Sequence, residues 1–305
     1  MAKIAVELEQ ALERRRRDGT PGRMTPRTLA CGDGWTVTDV ICTSGPQDRA
    51  YGERHSEYVI ALVLAGTFQY RSGLGCALMT PGSLLLGNHG LGFECGHEHG
   101  EGDRCVSFLY TPEYFERLAA DAGTRGGRAG FSLPRLPAVA ALSSIAVRAG
   151  VGATRSSDVA WQDLAVRLAV SAMRLASGAA SDDRPLPANA EARVARTVQR
   201  IQRHPGAASG LDALARDAGL SPYHFLRTFE RVTGVTPHQY LQRIRLREAA
   251  TRLLAGRGKV IDVALDCGFG DVSNFNRAFR TEFGVSPRSF REKSSRERAT
   301  ILKRF

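Results

Sequence analysis

Two hydrophobic periods divide this chain. Residues 2–17 follow a helical period, with Ile4, Leu8, Ala11 and Leu12 near one face and the run Arg14–Arg17 at the end. A solvated basic arm is the plainer role for this stretch and a nucleic-acid contact the alternative, because charge runs are common on exposed surfaces. From about Thr28 to Leu109 the period falls to two. The pieces "WTVTDVICT", "YVIALVLAGTFQYRSG", "CALMTPGSLLLGN" and "CVSFLYT" predict strands, and "LAGTF", "RSGLG" and "MTPGS" predict turns. Short strands joined by tight turns predict an antiparallel sandwich or open barrel rather than a βαβ unit.

After Leu109 the helical period returns. "TPEYFERLAAD" has Thr111 as N-cap and Pro112 at its first position, and the glycine-rich "AGTRGGRAG" then predicts a loop. Two further helices are expected in "PAVAALSSIAVRAG" and "SSDVAWQDLAVRLAVSAMRLASG". The second sets Val159, Leu164, Leu168 and Met173 in an apolar stripe near Trp161, to pack on the sheet or on another subunit. The polar, proline-containing "SGAASDDRPLPANAE" marks the domain boundary.

An internal repeat fills the remainder. Ala215, Gly219, Ser221, Phe225, Arg227, Phe229, Gly234 and Pro237 recur as Ala264, Gly268, Asp271, Phe275, Arg277, Phe279, Gly284 and Pro287, with one extra residue in the second turn. Each copy predicts a helix, a glycine turn and a second helix capped by Ser221 or Asp271. Phe225 with Phe229, and Phe275 with Phe279, stand four apart and face inward, so Arg227 and Arg277 face out. A helix held by its partner with its outer face free is the helix-turn-helix device for entering the major groove. The joining helix "TPHQYLQRIRLREAATRLLAG" starts at Pro237, has Leu241, Ile244, Ala249 and Leu253 as its apolar face, and places Arg243, Arg245, Arg247 and Arg252 outside or flanking. It sets the spacing of the two reading helices.

Charge sharpens this picture. The 305 residues carry 42 Lys and Arg against 31 Asp and Glu, a net +11. From Glu191 onward 22 basic residues meet 11 acidic ones, whereas the preceding part has 20 of each, so all the excess belongs to the repeat and its tail. No apolar run is long enough to span a bilayer, and the six cysteines do not form a dense disulfide scaffold, so a reducing cytoplasm is expected, without a membrane partner.

The segments "LARDAGLSPYHFLRTFERVTGVTPHQYLQRIRLREAATRLL" and "VIDVALDCGFGDVSNFNRAFRTEFGVSPRSFR" resemble the DNA-binding domain of AraC/XylS-type transcriptional regulators over about residues 190–292. The resemblance implies that the second helix of each unit reads DNA. It assigns Tyr223, His224, Leu226, Arg227 and Arg231 to the exposed side of the first reader, and Val272, Ser273, Asn274, Asn276, Arg277 and Arg280 to that of the second. Leu226 departs from the pattern, in which a polar base reader is frequent. It can touch a thymine methyl but cannot form a bidentate hydrogen bond. Cys267, in a supporting helix, is expected to be a small buried residue.

More loosely, "RHSEYVIALVLAGTFQYRSG" and "MTPGSLLLGNHG" resemble the cupin-like sensor and dimerisation domain of such regulators. The His-x-His metal motif of enzymatic cupins is not matched, because "HEH" follows the Pro-Gly turn and no Glu stands at the usual distance. A dense local group remains, "CGHEHGEGDRC", with Cys95, His97, His99 and Cys105, and His89 upstream. On a strand, residues 95, 97 and 99 share one face and Cys105 returns on the next, an arrangement suited to tetrahedral zinc. A thiol redox or electrophile sensor and a plain structural loop are the other readings. Arg104 and the histidines would favour a thiolate, and Glu98, Glu101 and Asp103 would oppose it. His55 either lines a ligand cavity or is a satisfied histidine at a strand start.

The expected fold class is α+β. An N-terminal helix or arm (1–27) precedes a cupin-like β-sandwich or open barrel with flanking helices (28–185). An all-α double helix-turn-helix domain (190–292) and a basic tail (293–305) follow. The expected function is non-enzymatic: a bacterial regulator of transcription, more often an activator by the resemblance, bound to double-stranded promoter DNA on the nucleoid. A homodimer paired through helices at 136–178, a small effector, metal or thiol-reactive signal, and RNA polymerase are its expected partners. Two rivals stand: a metal-dependent cupin enzyme fused to a DNA-binding tail, and an architectural DNA binder with a dimerisation domain that senses nothing.

Overall fold

Side-chain alternation along the strands builds the first domain. The computed structural model describes residues 3–123, 130–154, 159–178, 186–187, 189–205, 210–256 and 258–292, with backbone only at 3–5. Most of the glycine-rich loop, most of the expected domain boundary, the basic tail and the Ile4 side chain therefore lie outside the described residues. The strands are β1 (Met24–Gly32), β2 (Trp35–Cys42), β3 (Tyr51–Arg54), β4 (Tyr58–Gly66), β5 (Phe68–Ser72), β6 (Gly75–Met79), β7 (Leu84–Gly87), β8 (Gly92–Gly96), β9 (Asp103–Tyr110) and β10 (Arg135–Leu136). They form two antiparallel sheets, of order β1-β2-β9-β4-β7-β10 and β3-β8-β5-β6. The expected sandwich is thus present. β1 opens inside the stretch expected as the arm.

The central strands of the larger sheet serve two layers. On β9, Val106, Phe108 and Tyr110 join Val37, Ile60 and Leu62 in the main core beneath the helices. The alternate residues Asp103, Cys105, Ser107 and Leu109 point between the two sheets. This alternation sends Arg104 to the helical side, away from the cysteines whose thiolates it was expected to favour. Fully buried, Arg104 binds both carboxylate oxygens of Asp39, each at 2.9 Å, and reaches Glu7 at 2.7 Å and the Ala153 carbonyl at 3.2 Å. One guanidinium therefore fastens two helices to β2 and β9.

Those helices are α1 (Lys3–Asp18) and α3 (Ser143–Thr154); α2 (Pro112–Asp121) and α4 (Trp161–Ser177) complete the domain. Thr111 caps α2 with Pro112 following, as the sequence predicts. α1 does not project as an arm. Leu8 and Leu12 are buried with Ala65, and Arg15, Arg16 and Arg17 pair with Asp48, Glu101 and Asp18. The apolar stripe of α4 is consumed within its own chain, since Leu164, Leu168 and Met173 lie in the main core. That stripe is accordingly not a face for pairing subunits.

The second domain comprises α5 (Ala190–Arg203), α6 (Leu211–Asp217), α7 (Pro222–Thr233), α8 (Pro237–Leu254), α9 (Val260–Asp266) and α10 (Val272–Phe283). Phe225 and Phe229 fill one core with α5 and the start of α8; Phe275 and Phe279 fill another with its end. Cys267 is buried in the second, as expected. Neither core closes alone: the first includes Leu78 of β6, and the second includes Val147 and Val151 of α3.

Polar contacts follow the same seam. Arg135 Nη1 donates to the Thr233 carbonyl at 2.7 Å, Arg243 Nη1 to the Ala138 carbonyl at 2.8 Å, and the Ser143 hydroxyl to Glu282. The segment from Arg135 to Ser143 thereby touches the C-terminal ends of both second helices.

Burial of Arg104 with its carboxylate partner generates a stability prediction. Asp39→Ala leaves a buried guanidinium short of its main counter-charge and should lower stability by about 3–5 kcal/mol in urea unfolding. An unchanged midpoint would show that Glu7 and the Ala153 carbonyl carry the charge without Asp39.

Candidate nucleic-acid interface and ligand cavity

Local chemistry sets the two outward helices. At α7 the Ser221 hydroxyl accepts from the His224 amide, Pro222 stands in the first turn, and Gly234 ends the helix at φ +78°. At α10 the Asp271 carboxylate accepts from the Asn274 amide at 2.6 Å. With the phenylalanines turned inward, Tyr223, His224 and Arg227 are exposed on α7, and Ser273, Asn274, Arg277 and Arg280 on α10. Leu226, Val272 and Asn276 are half-buried beside them. Arg231 departs from the expected open face: it is half-buried and its Nε is shut off from solvent.

The two arginines at equivalent repeat positions are held differently. Arg227 lies 5.7 Å over the Tyr223 ring and donates to its hydroxyl at 3.1 Å, which restricts its rotamers. The Arg277 and Arg280 guanidinium groups have no hydrogen-bond or ion-pair partner among the described residues. Both arrangements present cations to solvent, as a phosphate or a guanine edge requires.

The arginines of α8 do not join that surface. Arg243 lies against Glu282 at 3.5 Å, Arg245 donates to the Pro205 carbonyl at 2.6 Å, and Arg252 bridges Glu248 and Asp266. Arg247 points at the turn before β7, where its Nη1 stands 3.5 Å from the Pro81 carbonyl. Gly82 adopts φ +87° there, and a Cβ would collide with that guanidinium. Helical period alone put these side chains outside or flanking because it could not show the sheet domain that meets Arg243 and Arg247, or the Pro205 and α9 partners that hold Arg245 and Arg252. The same limit hid Tyr240, Leu246 and Ala250, which are buried in α8 beside the expected apolar residues.

Between the two sheets lies a cavity of about 670 Å³. Its wall is apolar toward Val59, Ala61, Phe68, Leu85 and Phe93, and Arg23, Arg49 and Arg54 also line it. His55 lines the cavity and is satisfied as well. Its Nε2 lies 2.9 Å from the Tyr70 hydroxyl and its ring stacks on Phe93 at 4.0 Å. Burial lowers its pKa to about 4, keeping the ring neutral.

One wall carries the donor cluster. His97 Nε2 is 2.8 Å from Asp103 Oδ1, and the Cys105 thiol lies 3.2 Å from Asp103 Oδ2. Cys42 Sγ, a His97 ring nitrogen and an Asp103 oxygen all lie within 4.8 Å of one another. Cys95 and Cys105 line the same cavity. This differs from the expected set of Cys95, His97, His99 and Cys105. β8 ends at Gly96, so strand alternation stops before His97 and His99 is not brought into the cluster. The two members missed, Cys42 and Asp103, face each other across the β2–β9 ladder. Period two along "WTVTDVICT" and from Cys105 back to Asp103 is the signal that marks both.

The cluster can coordinate a metal such as zinc, since it combines thiol, imidazole and carboxylate donors. It is poorly suited to free thiolate chemistry. Burial and the nearby Asp103 charge raise the Cys42 pKa to about 11 and push Cys95 and Cys105 up as well.

Comparison with known proteins bears on the C-terminal domain. A family described as a helix-turn-helix domain matches residues 214–293. The HTH-type transcriptional activator RhaS of Escherichia coli O139:H28 is 42% identical over 81 residues, covering 27% of this chain and 29% of the relative. RhaS of Escherichia fergusonii is 36% identical over 104 residues, covering 34% and 37%. The chain thus spans about a third of the length of the curated relatives it matches. Among solved structures, ToxT from Vibrio cholerae O395 aligns with 13% identity over 85% of this chain and 98% of that one, at a TM-score of 0.36. Residues 214–293 match the helix-turn-helix domain family, and the structure there shows two helix pairs joined by the long α8. No helix among the described residues is long and apolar enough to cross a membrane.

The thiol environments predict a reactivity order. In the folded chain at pH 8, a chromogenic disulfide reagent should modify the exposed Cys31 and Cys76 first, and Cys42, Cys95, Cys105 and Cys267 only after unfolding. Fast modification of Cys42 or Cys95 would revive the thiol-sensor reading.

Proposed function

We infer that this chain is a sequence-specific, DNA-binding regulator of transcription. The observation that carries the reading is the pair of helices α7 and α10, whose outer faces display Tyr223, Arg227, Asn274 and Arg277 while their inner faces are locked by phenylalanine pairs. A rigid α8 between them suits two successive turns of the major groove. The RhaS relatives are named transcriptional activators, and activation is the sign proposed here. The exposed arginines supply salt-dependent attraction to phosphate, and the remaining outward side chains supply readout of base edges. The cavity between the sheets receives the signal, and the seam through Arg135, Ser143 and Glu282 passes it to both reading helices. A homodimer on paired half-sites, contacting RNA polymerase, completes the proposal.

Selection of binding sites from random duplexes tests the reading, which fails if the purified chain enriches no sequence. On a selected site, Arg277→Ala should weaken binding by about 10- to 100-fold, the worth of one bidentate base contact. An equal loss on unrelated duplexes would assign Arg277 to phosphate instead. Leu226→Gln should change preference at a single base pair, and an unaltered selected sequence would remove Leu226 from the reading face.

A further inference from the structure

Three donors of the cavity wall belong to two kinds of support. Cys42 and Asp103 are ladder partners on β2 and β9, strands paired along their whole length in the middle of the larger sheet. His97 stands on the connection from Gly96 to Gly102, between β8 and β9. In tetrahedral zinc sites, metal–ligand bonds of about 2.0–2.3 Å put donors about 3.5 Å apart. Here His97 Nε2 and Asp103 Oδ1 are 2.8 Å apart, closer than that spacing, and all three donors lie within 4.8 Å of one another. A bound ion must therefore open the His97–Asp103 pair; the backbone of Asp103 is held by the β2–β9 ladder, whereas that of His97 is not. The connection is therefore the part freest to move.

That connection is held by both neighbours. Gln199 of α5, in the helix-turn-helix domain, donates from Nε2 to the His99 carbonyl at 2.9 Å. On the other side Arg16 of α1 pairs with Glu101, and a Cβ at Gly102, φ +67°, would press on Leu8 and Leu12. A displacement of His97 is thus delivered within two residues to α5, the helix that supplies Val194, Val198 and Ile201 to the core beneath α7.

We propose that Cys42, His97 and Asp103 form a regulatory site for a thiophilic divalent cation of the zinc or cadmium class, and that Gln199 reads its occupancy through the His99 carbonyl. The donor chemistry selects the class. A thiolate and an imidazole are poor ligands for magnesium or calcium, which take oxygen. The thiolate and carboxylate together balance the charge of a divalent ion. The site's position between β2 and the start of β9 is separate from the cupin metal motif, which this sequence lacks. The cation site stands on the cavity alone, and only its regulatory meaning rests on the proposed function.

Titration of the full-length chain with Co²⁺ tests the site. One equivalent should give a thiolate-to-cobalt charge-transfer band, displaced by Zn²⁺. Cys42→Ser and His97→Gln should each weaken Zn²⁺ binding by about 10- to 100-fold or more, while His99→Ala and Cys31→Ser should leave it unchanged. Circular dichroism confirms that each variant is folded. No charge-transfer band, or equal affinity in the folded Cys42→Ser and His97→Gln variants, would overturn the site. The link is read without DNA, by hydrogen exchange. Zn²⁺ should alter protection in 97–102 and in α5, and Gln199→Ala should keep the metal yet abolish the change in α5. Metal binding with unaltered exchange in α5 would overturn the link, whether or not the chain binds DNA.

Discussion

Everything in this structure turns on α8, which leaves only His238 and Gln239, in its first turn, exposed to solvent. Tyr240 and Leu241 close the core of the first helix-turn-helix unit, and Leu246, Ala249, Ala250 and Leu253 serve the second or its approach. A further side, with Arg243 and Arg247, lies on the sheet domain. A helix packed this way cannot bend or roll without disturbing interiors that are close-packed like crystals. α7 and α10 are consequently held at one separation, and that separation is coupled to the sheet domain through the same helix.

The seam between the domains is a mixture of strong and costly contacts. Leu78, Val147 and Val151 are apolar plugs that favour closure. Arg247 opposes it: its Nε and Nη2 are buried without a hydrogen-bond partner among the described residues, and burial lowers its pKa. A buried guanidinium with one long contact carries a desolvation penalty of several kcal/mol, which hydration would relieve if the seam opened. An interface so composed suits a two-state device, since a modest change on one side can shift its balance.

The cavity and the seam meet at the connection between β8 and β9. Strand pairing fixes the backbone of Cys42 and Asp103, while the glycine-rich run from Gly96 to Gly102 lies outside the ladders and is tied by side chains of α1, α5 and β5. Rigid donors beside a compliant one are the arrangement in which ligand binding becomes movement. Both carboxylate oxygens of Asp103 are engaged, one with His97 and one with Cys105, so any ligand of this wall must reorganise all three.

Local rules made the second domain legible. Phe225/Phe229 and Phe275/Phe279 at four-residue spacing, caps at Ser221 and Asp271 and glycine at 234 and 284 each act within one or two turns of chain, so the repeat declares its own structure. Period two likewise declared the sandwich strands. Contacts between distant segments were not declared. Arg104 read as a neighbour of the cysteines until β9 sent it to the opposite face, and Arg243 and Arg247 read as outside or flanking until the sheet domain covered them. Cys42, far from "CGHEHGEGDRC" in the chain, became its partner only through the β2–β9 register. Periodicity reports which face a side chain takes; only the tertiary fold decides what stands opposite that face, because strand pairing and domain docking join segments that no local pattern connects.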